Sequence, residues 1–236
     1  MKMYIDWTYI VLVLPAVIFS LICSAKVNSS FKKYSGIRCT SGLTGAEAAR
    51  RVLETNGVYD VAIGTASGKL SDHYDPRDRT IHLSAEVYGS SSVAAIGVAC
   101  HEAGHAVQHA ENYRPLKFRN MIIPATNIGS RLALPLILLG ICFSYAGSYF
   151  INIAYVGVGC FALSTLFQLV TLPTEFNASR RALKAIDQNR LLTSSEQQGA
   201  KKVLSAAAMT YVAALAVSFM QLLRLLAMVS RNDRRR

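Results

Sequence analysis

The sequence predicts a mainly α-helical membrane protein of several spans, with one small α+β domain in its longest loop. Three observations predict it. Hydrophobic residues fill 52% of the 236 positions and charged residues only 17%, against roughly 25% charged in an ordinary soluble domain. The uncharged positions are gathered into long runs. The basic excess, 25 Lys+Arg against 14 Asp+Glu for a net +11, crowds at the ends of those runs. Such a charge ordinarily raises nucleic acid as a partner, but no basic stripe interleaved with aromatics is present, so no nucleic acid is expected. The five cysteines are odd in number and form no C-x-x-C pair, which disfavours both a disulfide framework and a thiolate metal site.

The first run, residues 7–25, carries no charge over 19 positions and is long enough to cross a hydrocarbon core of about 30 Å. Lys26, Lys32, Lys33 and Arg38 follow it. Positive charge on that side reads as an uncleaved anchor with its N-terminus outside, not as a secretory signal. Residues 132–173 form a second apolar stretch, long enough for two spans, with Ser144–Asn152 as the turn between them. No soluble helix pair should be apolar on every face for so long. A fourth segment, 203–229, either spans or lies along the membrane, because Arg224 interrupts it; residues 230–236 are a basic tail. Four spans place 26–131 and 174–202 on one side. That side holds most of the cations near the span ends, so it is expected to face the cytoplasm. The basic tail, with Arg231, Arg234, Arg235 and Arg236, opposes this if the last helix crosses fully.

Within the long loop, Thr44 and Glu47 form a capping box that opens a helix, and Asn56-Gly57 closes it. Val58–Ile63 alternates like a strand, Gly64–Lys69 turns the chain, and Lys69–Asp72 begins a second strand. The segment Asp72–Pro76 precedes the strand Arg79–Leu83, and the three strands read as a hairpin-like sheet. Ser90–Ser92 then cap a helix over 93–110.

That helix contains His101-Glu102-Ala103-Gly104-His105. Residues four apart share a helix face, so two imidazoles can bind one Zn²⁺ while Glu102 beside them holds and deprotonates a water. A third ligand is needed. His109 stands about 12 Å from His101 along a straight helix axis, too far to share a metal, and Glu111 suffers the same geometry. Glu175 is the better candidate: a carboxylate directly after uncharged membrane sequence needs a partner. Pro173 and Thr174 there announce a helix start, and Ser179, one turn on, can hydrogen-bond a ligand.

The segments SGLTGAEAARRVLETNG, LSDHYDPRDRTIHLS, VACHEAGHAVQHAENYRPLKFRN and LPTEFNASRRAL resemble the neutral zinc metallopeptidases of bacterial membranes, the YugP-like family, over nearly the whole chain. More distantly, H-E-x-x-H followed after two spans by E-F-x-A-S is similar to the HtpX-like membrane proteases. The resemblance implies a zincin-like, gluzincin-type catalytic domain. It makes His101, His105 and Glu175 the zinc ligands and Glu102 the catalytic base, in a protein of the bacterial inner membrane. Two positions depart from those patterns: Ser179 stands where the HtpX-like proteins have Asp, and Asn177 where the closer family is expected to have Asp.

Zinc-assisted peptide hydrolysis is the expected reaction. The strand Arg79–Leu83 is expected to pair with an extended substrate along its edge, and His73 or Tyr74 to donate to the oxyanion. Because Glu175 follows a span directly, substrates are expected to be membrane proteins or their juxtamembrane segments. The competing readings are a non-catalytic membrane interaction protein with a structural zinc, and a transporter. The latter has no Asp, Glu or Lys inside the spans to use. Oligomeric state stays open.

Overall fold

The computed structural model describes residues 7–68, 71–147 and 149–234. Readings that involve Lys69, Leu70, Ser148, Arg235 and Arg236 therefore lie in part outside the described residues. The chain is mainly helical, and the described residues hold one small mixed sheet and four helices long and apolar enough to cross a membrane. It divides into two compact units. The first comprises the described parts of Met1–Ile22, Phe118–Leu172 and Tyr211–Arg236; the second is Cys23–Lys117 with Pro173–Thr210.

Helix α1 runs over Tyr9–Ser35, its opening Tyr9–Val13 wound as a π-helix. It continues past the apolar run to place Lys32 and Lys33 in its last turn, where the helix dipole favours cations. Helix α2 (Gly45–Thr55) starts at the expected capping box: Thr44 takes the backbone N–H of Glu47, and the Glu47 carboxylate takes that of Thr44. It buries Ala48, Ala49, Val52 and Leu53 on one face. Gly57, at φ 69°, turns the chain away.

The sheet differs from the expected hairpin. Strands β1 (Ala62–Ala66), β2 (His73–Asp75) and β3 (Thr80–Ser84) are ordered β1-β3-β2, with β1 parallel and β2 antiparallel to β3. The strand expected over 58–63 is displaced toward the C-terminus: Val58 and Val61, its two buried residues, are three apart and cannot share a strand face of period two, whereas Val61 and Ile63 can. The chain becomes a strand only where it meets β3, through Gly64, a residue the sequence marks as a turn. β3 is thus central, with both of its edges paired, so the expected docking of a substrate along it is excluded. The free edges of this sheet belong to β1 and β2.

Asp72 accepts from the backbone N–H and hydroxyl of Ser84, tying the β2 side to the start of the short helix α3 (Ala85–Tyr88). Helix α4 (Val93–Ala110) is capped by the Ser92 hydroxyl, which accepts from Ala95 N–H. Its faces are buried among Leu53, Ile81, Leu83, Val87, Ile186 and Val203 of the second unit's core. Close approach is possible because α4 offers glycines: a Cβ on Gly104 would meet the Ala178 carbonyl oxygen at 2.9 Å.

Helices α5 (Arg114–Cys142), α6 (Phe150–Gln188) and α7 (Ser194–Asp233) complete the chain. The turn between α5 and α6 holds one 3-10 turn, Ser144–Ala146. Pro173 begins no new helix; α6 continues through it. A proline removes one intrahelical donor, but apolar membrane helices accommodate that loss. In the first unit, Ile137, Ile151, Ala154, Val158, Leu225 and Val229 form a small core. Gly140 and Gly157 let α5 and α6 approach there, Gly157 having the Ala133 carbonyl and Ile137 within 2.8 Å of where a Cβ would stand, the small-residue packing common between membrane helices. The guanidinium of Arg224 lies 5.3 Å from the Tyr9 ring, a cation–π contact that gives this charge an aromatic face inside an apolar helix.

Candidate metal centre

Helix α4 carries His101 and His105 one turn apart, and their rings meet edge to face at 4.8 Å. The part of α6 that follows Pro173 brings Glu175 to them. Its Oε2 stands 3.4 Å from His101 Nε2 and 3.6 Å from His105 Nε2, and Glu175 is only 2% exposed. The ligand atoms of the three residues all lie within 4.8 Å of one another. Donors held about 2.0–2.1 Å from one tetrahedral centre stand about 3.3 Å apart, and the two carboxylate–imidazole spacings lie close to that. Two imidazole nitrogens and one carboxylate are also the donor set of a catalytic zinc site with one position left open.

Each histidine is held at its other ring nitrogen. Ser179 Oγ lies 3.2 Å from His101 Nδ1, and Gln108 Oε1 lies 3.0 Å from His105 Nδ1. Gln108, fully buried, donates its Nε2 to the Thr174 carbonyl and to Asn177 Oδ1, both at 2.9 Å. Arg181 in turn donates Nε to Asn177 Oδ1 at 2.8 Å and a terminal nitrogen to Glu111 at 2.6 Å. Glu111 is therefore an ion-pair partner of Arg181. Burial disfavours a charged His105, yet the Glu175 hydrogen bond, the Glu102 charge and Gln108 outweigh it and raise its pKa above the ordinary value. A pocket that draws protons in this way is electronegative and suits a cation equally.

Glu102, next to His101 on α4, is buried with 8% exposure. Gly104 lies between the two histidines in sequence, and Ala178 between Glu175 and Ser179. α4 and α6 approach closely there, since a Cβ on Gly104 would meet the Ala178 backbone.

Tyr74 and His73 point to opposite faces of β2, as neighbours on a strand must. Tyr74 Oη lies 2.7 Å from His109 Nδ1, one helical turn beyond His105. The pair lines a cavity of about 310 Å³ with Asp60, Arg79, Ala106 and Asn112. Burial pushes the Tyr74 phenol up to about 12, so it remains a donor throughout the neutral range. His73 instead stacks on His82, centroids 4.9 Å apart, and its Nδ1 lies 2.7 Å from the Ser71 carbonyl oxygen.

The structure thus brings together His101, His105, Glu175 and Ser179, with Glu102 adjacent on α4. It sets Tyr74 on His109 and His73 on His82. Sequence reasoning missed Gln108, Asn177 and Arg181 as partners of this cluster. The available signal was a glutamine three residues past His105, on the apolar helix expected to bury its face, where a polar side chain demands a partner.

Comparison with known proteins gives the family. The family described as "Putative neutral zinc metallopeptidase" matches residues 9–230. The "Putative membrane protease YugP" of Bacillus subtilis (strain 168) is 47% identical over 216 residues, covering 92% of this chain and 94% of that relative. No solved structure matches. With two histidines and a buried glutamate converging as a zinc donor set, and with that similarity along nearly its whole length, the chain belongs to the neutral zinc metallopeptidase family.

Proposed function

We propose that the protein is a membrane-embedded, zinc-dependent endopeptidase of the bacterial inner membrane, cutting peptide bonds close to the cytoplasmic surface. The observation that carries this reading is the convergence of His101 Nε2, His105 Nε2 and Glu175 Oε2 beside the Glu102 carboxylate.

In this reading His101, His105 and Glu175 hold the ion in a zincin-like, gluzincin-type domain. Zinc in such a site supplies Lewis acidity to a substrate carbonyl and makes water a nucleophile at neutral pH. The rest is the work of side chains. Glu102 takes a proton from the attacking water on its carboxylate and returns it to the leaving amine, a service worth about 10²–10⁴-fold in rate. Ser179 orients His101 through Nδ1. Both candidate oxyanion donors are engaged away from the cluster, Tyr74 with His109 and His73 with His82 and Ser71, so either would have to leave its partner to serve the reaction. Substrate follows from position in the chain. Glu175 comes directly after the apolar stretch of α6, so the scissile bond belongs to a membrane protein or its juxtamembrane segment. The cytoplasmic side follows from the cations gathered near the span ends.

The test compares wild type with Glu102→Gln in the same membrane. The proteome of wild-type cells should contain membrane-protein fragments that disappear with Glu102→Gln, while the purified variant keeps its zinc. If both forms sustain the same cellular role with zinc bound and no fragment differs, the protein is a non-catalytic membrane interaction protein with a structural zinc.

A further inference from the structure

The two histidines of the cluster are held by chemically different partners. His101 Nδ1 faces the hydroxyl of Ser179, which can donate or accept and so leaves the position of the ring proton undecided. His105 Nδ1 faces Gln108 Oε1, and there the hydrogen-bond directions are decided from outside the site. An amide can ordinarily be turned end for end without visible cost, so its assignment needs an argument from its neighbours. Here both ends of the chain supply one. The Thr174 carbonyl can only accept, and it lies 2.9 Å from Gln108 Nε2. The Arg181 guanidinium can only donate, and it gives Nε to Asn177 Oδ1 at 2.8 Å, which fixes the oxygen of Asn177 toward Gln108. Gln108 Nε2 must then spend its two hydrogens on Thr174 and Asn177. Its oxygen is left for His105, so Nδ1 of His105 carries a proton, and in the neutral ring Nε2 keeps its lone pair, on the side facing Glu175.

We infer that Gln108, Asn177 and Arg181 form a positioning relay that locks His105 with its proton on Nδ1 and holds Nε2 ready for a metal ion. Arg181, which touches none of the three ligand atoms, thereby sets how tightly the site binds zinc. The inference rests on the zinc reading of the cluster proposed above. Asn177 contributes only one oxygen that accepts twice, and an aspartate would serve the relay equally.

The experiment measures the zinc dissociation constant of the full-length protein in detergent by competition with a chelator. Asn177→Leu and Arg181→Met should each weaken binding by about 10–100-fold, the usual effect of losing a partner that orients a ligand. Asn177→Asp should bind close to wild type. Ser179→Ala should cost less than Asn177→Leu, since a hydroxyl fixes no tautomer. Nitrogen-15 spectra of histidine-labelled, zinc-free wild type should show His105 protonated at Nδ1, and this readout holds even where a variant does not fold. The relay is overturned if zinc binds Asn177→Leu as tightly as wild type, if Asn177→Asp binds as weakly as Asn177→Leu, or if Nδ1 of His105 carries no proton. Should wild type itself bind no zinc, the zinc reading falls and the relay with it. A zinc-binding wild type matched by its relay variants removes the relay alone.

Discussion

Helix α4 and the long helices of the first unit are both rich in apolar residues, for opposite reasons. Most of α4 is buried, Glu102 and His105 included. In the four span-length helices no more than 22% of the most apolar window is buried, and Ile128, Leu134 and Leu138 of α5 are more than half exposed. The first kind of apolar helix avoids water by packing on protein; the second has apolar side chains left over for lipid. α6 changes from one kind to the other along its length. Before Pro173 it exposes Val156, Leu163, Leu166 and Leu169; after Pro173 it buries Ala178, Ala182 and Ile186 in the core that surrounds α4. Hydropathy reflects the difference: each of the four long helices holds a window apolar enough to cross a membrane, whereas α4 carries three histidines, a glutamate and a glutamine in 18 residues. The placement of those polar residues adds to it, since in α4 His101, His105 and Gln108 fall on the turns that face other polar groups.

The sharpest way to break this comparison is to delete equal side chains from both kinds of helix. Ile96 of α4 is fully buried, and Ile96→Ala should cost about 2–5 kcal/mol through the cavity it leaves. Ile128 of α5 is 62% exposed, and Ile128→Ala should change stability by no more than about 0.5 kcal/mol. Denaturant unfolding of both variants in the same detergent reads the difference. Equal losses would mean that α5 packs against protein as α4 does.

A smaller effect, confined to the site, is expected where α4 meets α6. A Cβ at Gly104 would stand 2.9 Å from the Ala178 carbonyl oxygen, and the obstacle is backbone, so it cannot turn aside. Gly104→Ala should therefore cost about 1–3 kcal/mol by overpacking. It should also push Glu175 away from the histidines, so that zinc affinity falls even at temperatures where the fold persists. Chelator competition and thermal unfolding on one preparation test both parts. A destabilised variant with unchanged zinc affinity would show that the α4–α6 approach does not set the ligand spacing.

These contacts also explain what could be read in advance. His101, Glu102 and His105 were legible because a helix puts residues four apart together without help from the rest of the chain. Glu175 was legible because a carboxylate beside an apolar run is costly without a partner. The partner relation of Gln108 to Asn177 was not, since 69 residues separate them and only tertiary folding brings them together. β1 was misplaced for a related reason. Ala62–Ala66 has weak strand character of its own and takes its strand form from the parallel pairing with β3, which no local pattern announces. Likewise, Pro173 reads locally as a helix start, while the apolar turns on its N-terminal side carry α6 through it.

The smallest effect concerns a helix end in the second unit. α2 begins at the Thr44–Glu47 capping box, and the Glu47 carboxyl, drawn on by the Thr44 backbone N–H and then by its hydroxyl, is held below the usual carboxylate range. Thr44→Ala removes the acceptor for the Glu47 N–H and should cost about 1 kcal/mol, which lowers the unfolding midpoint by about 2–4 °C in a domain of this size. Because α2 packs on α4 through Val52 and Leu53 of the same core, the loss should appear in the transition that also exposes the metal cluster. Zinc added in excess should raise that midpoint in wild type and in Thr44→Ala by the same amount, since the cap touches no ligand. A zinc-induced rise seen in wild type alone would mean that α2 steers the site as well as supporting it.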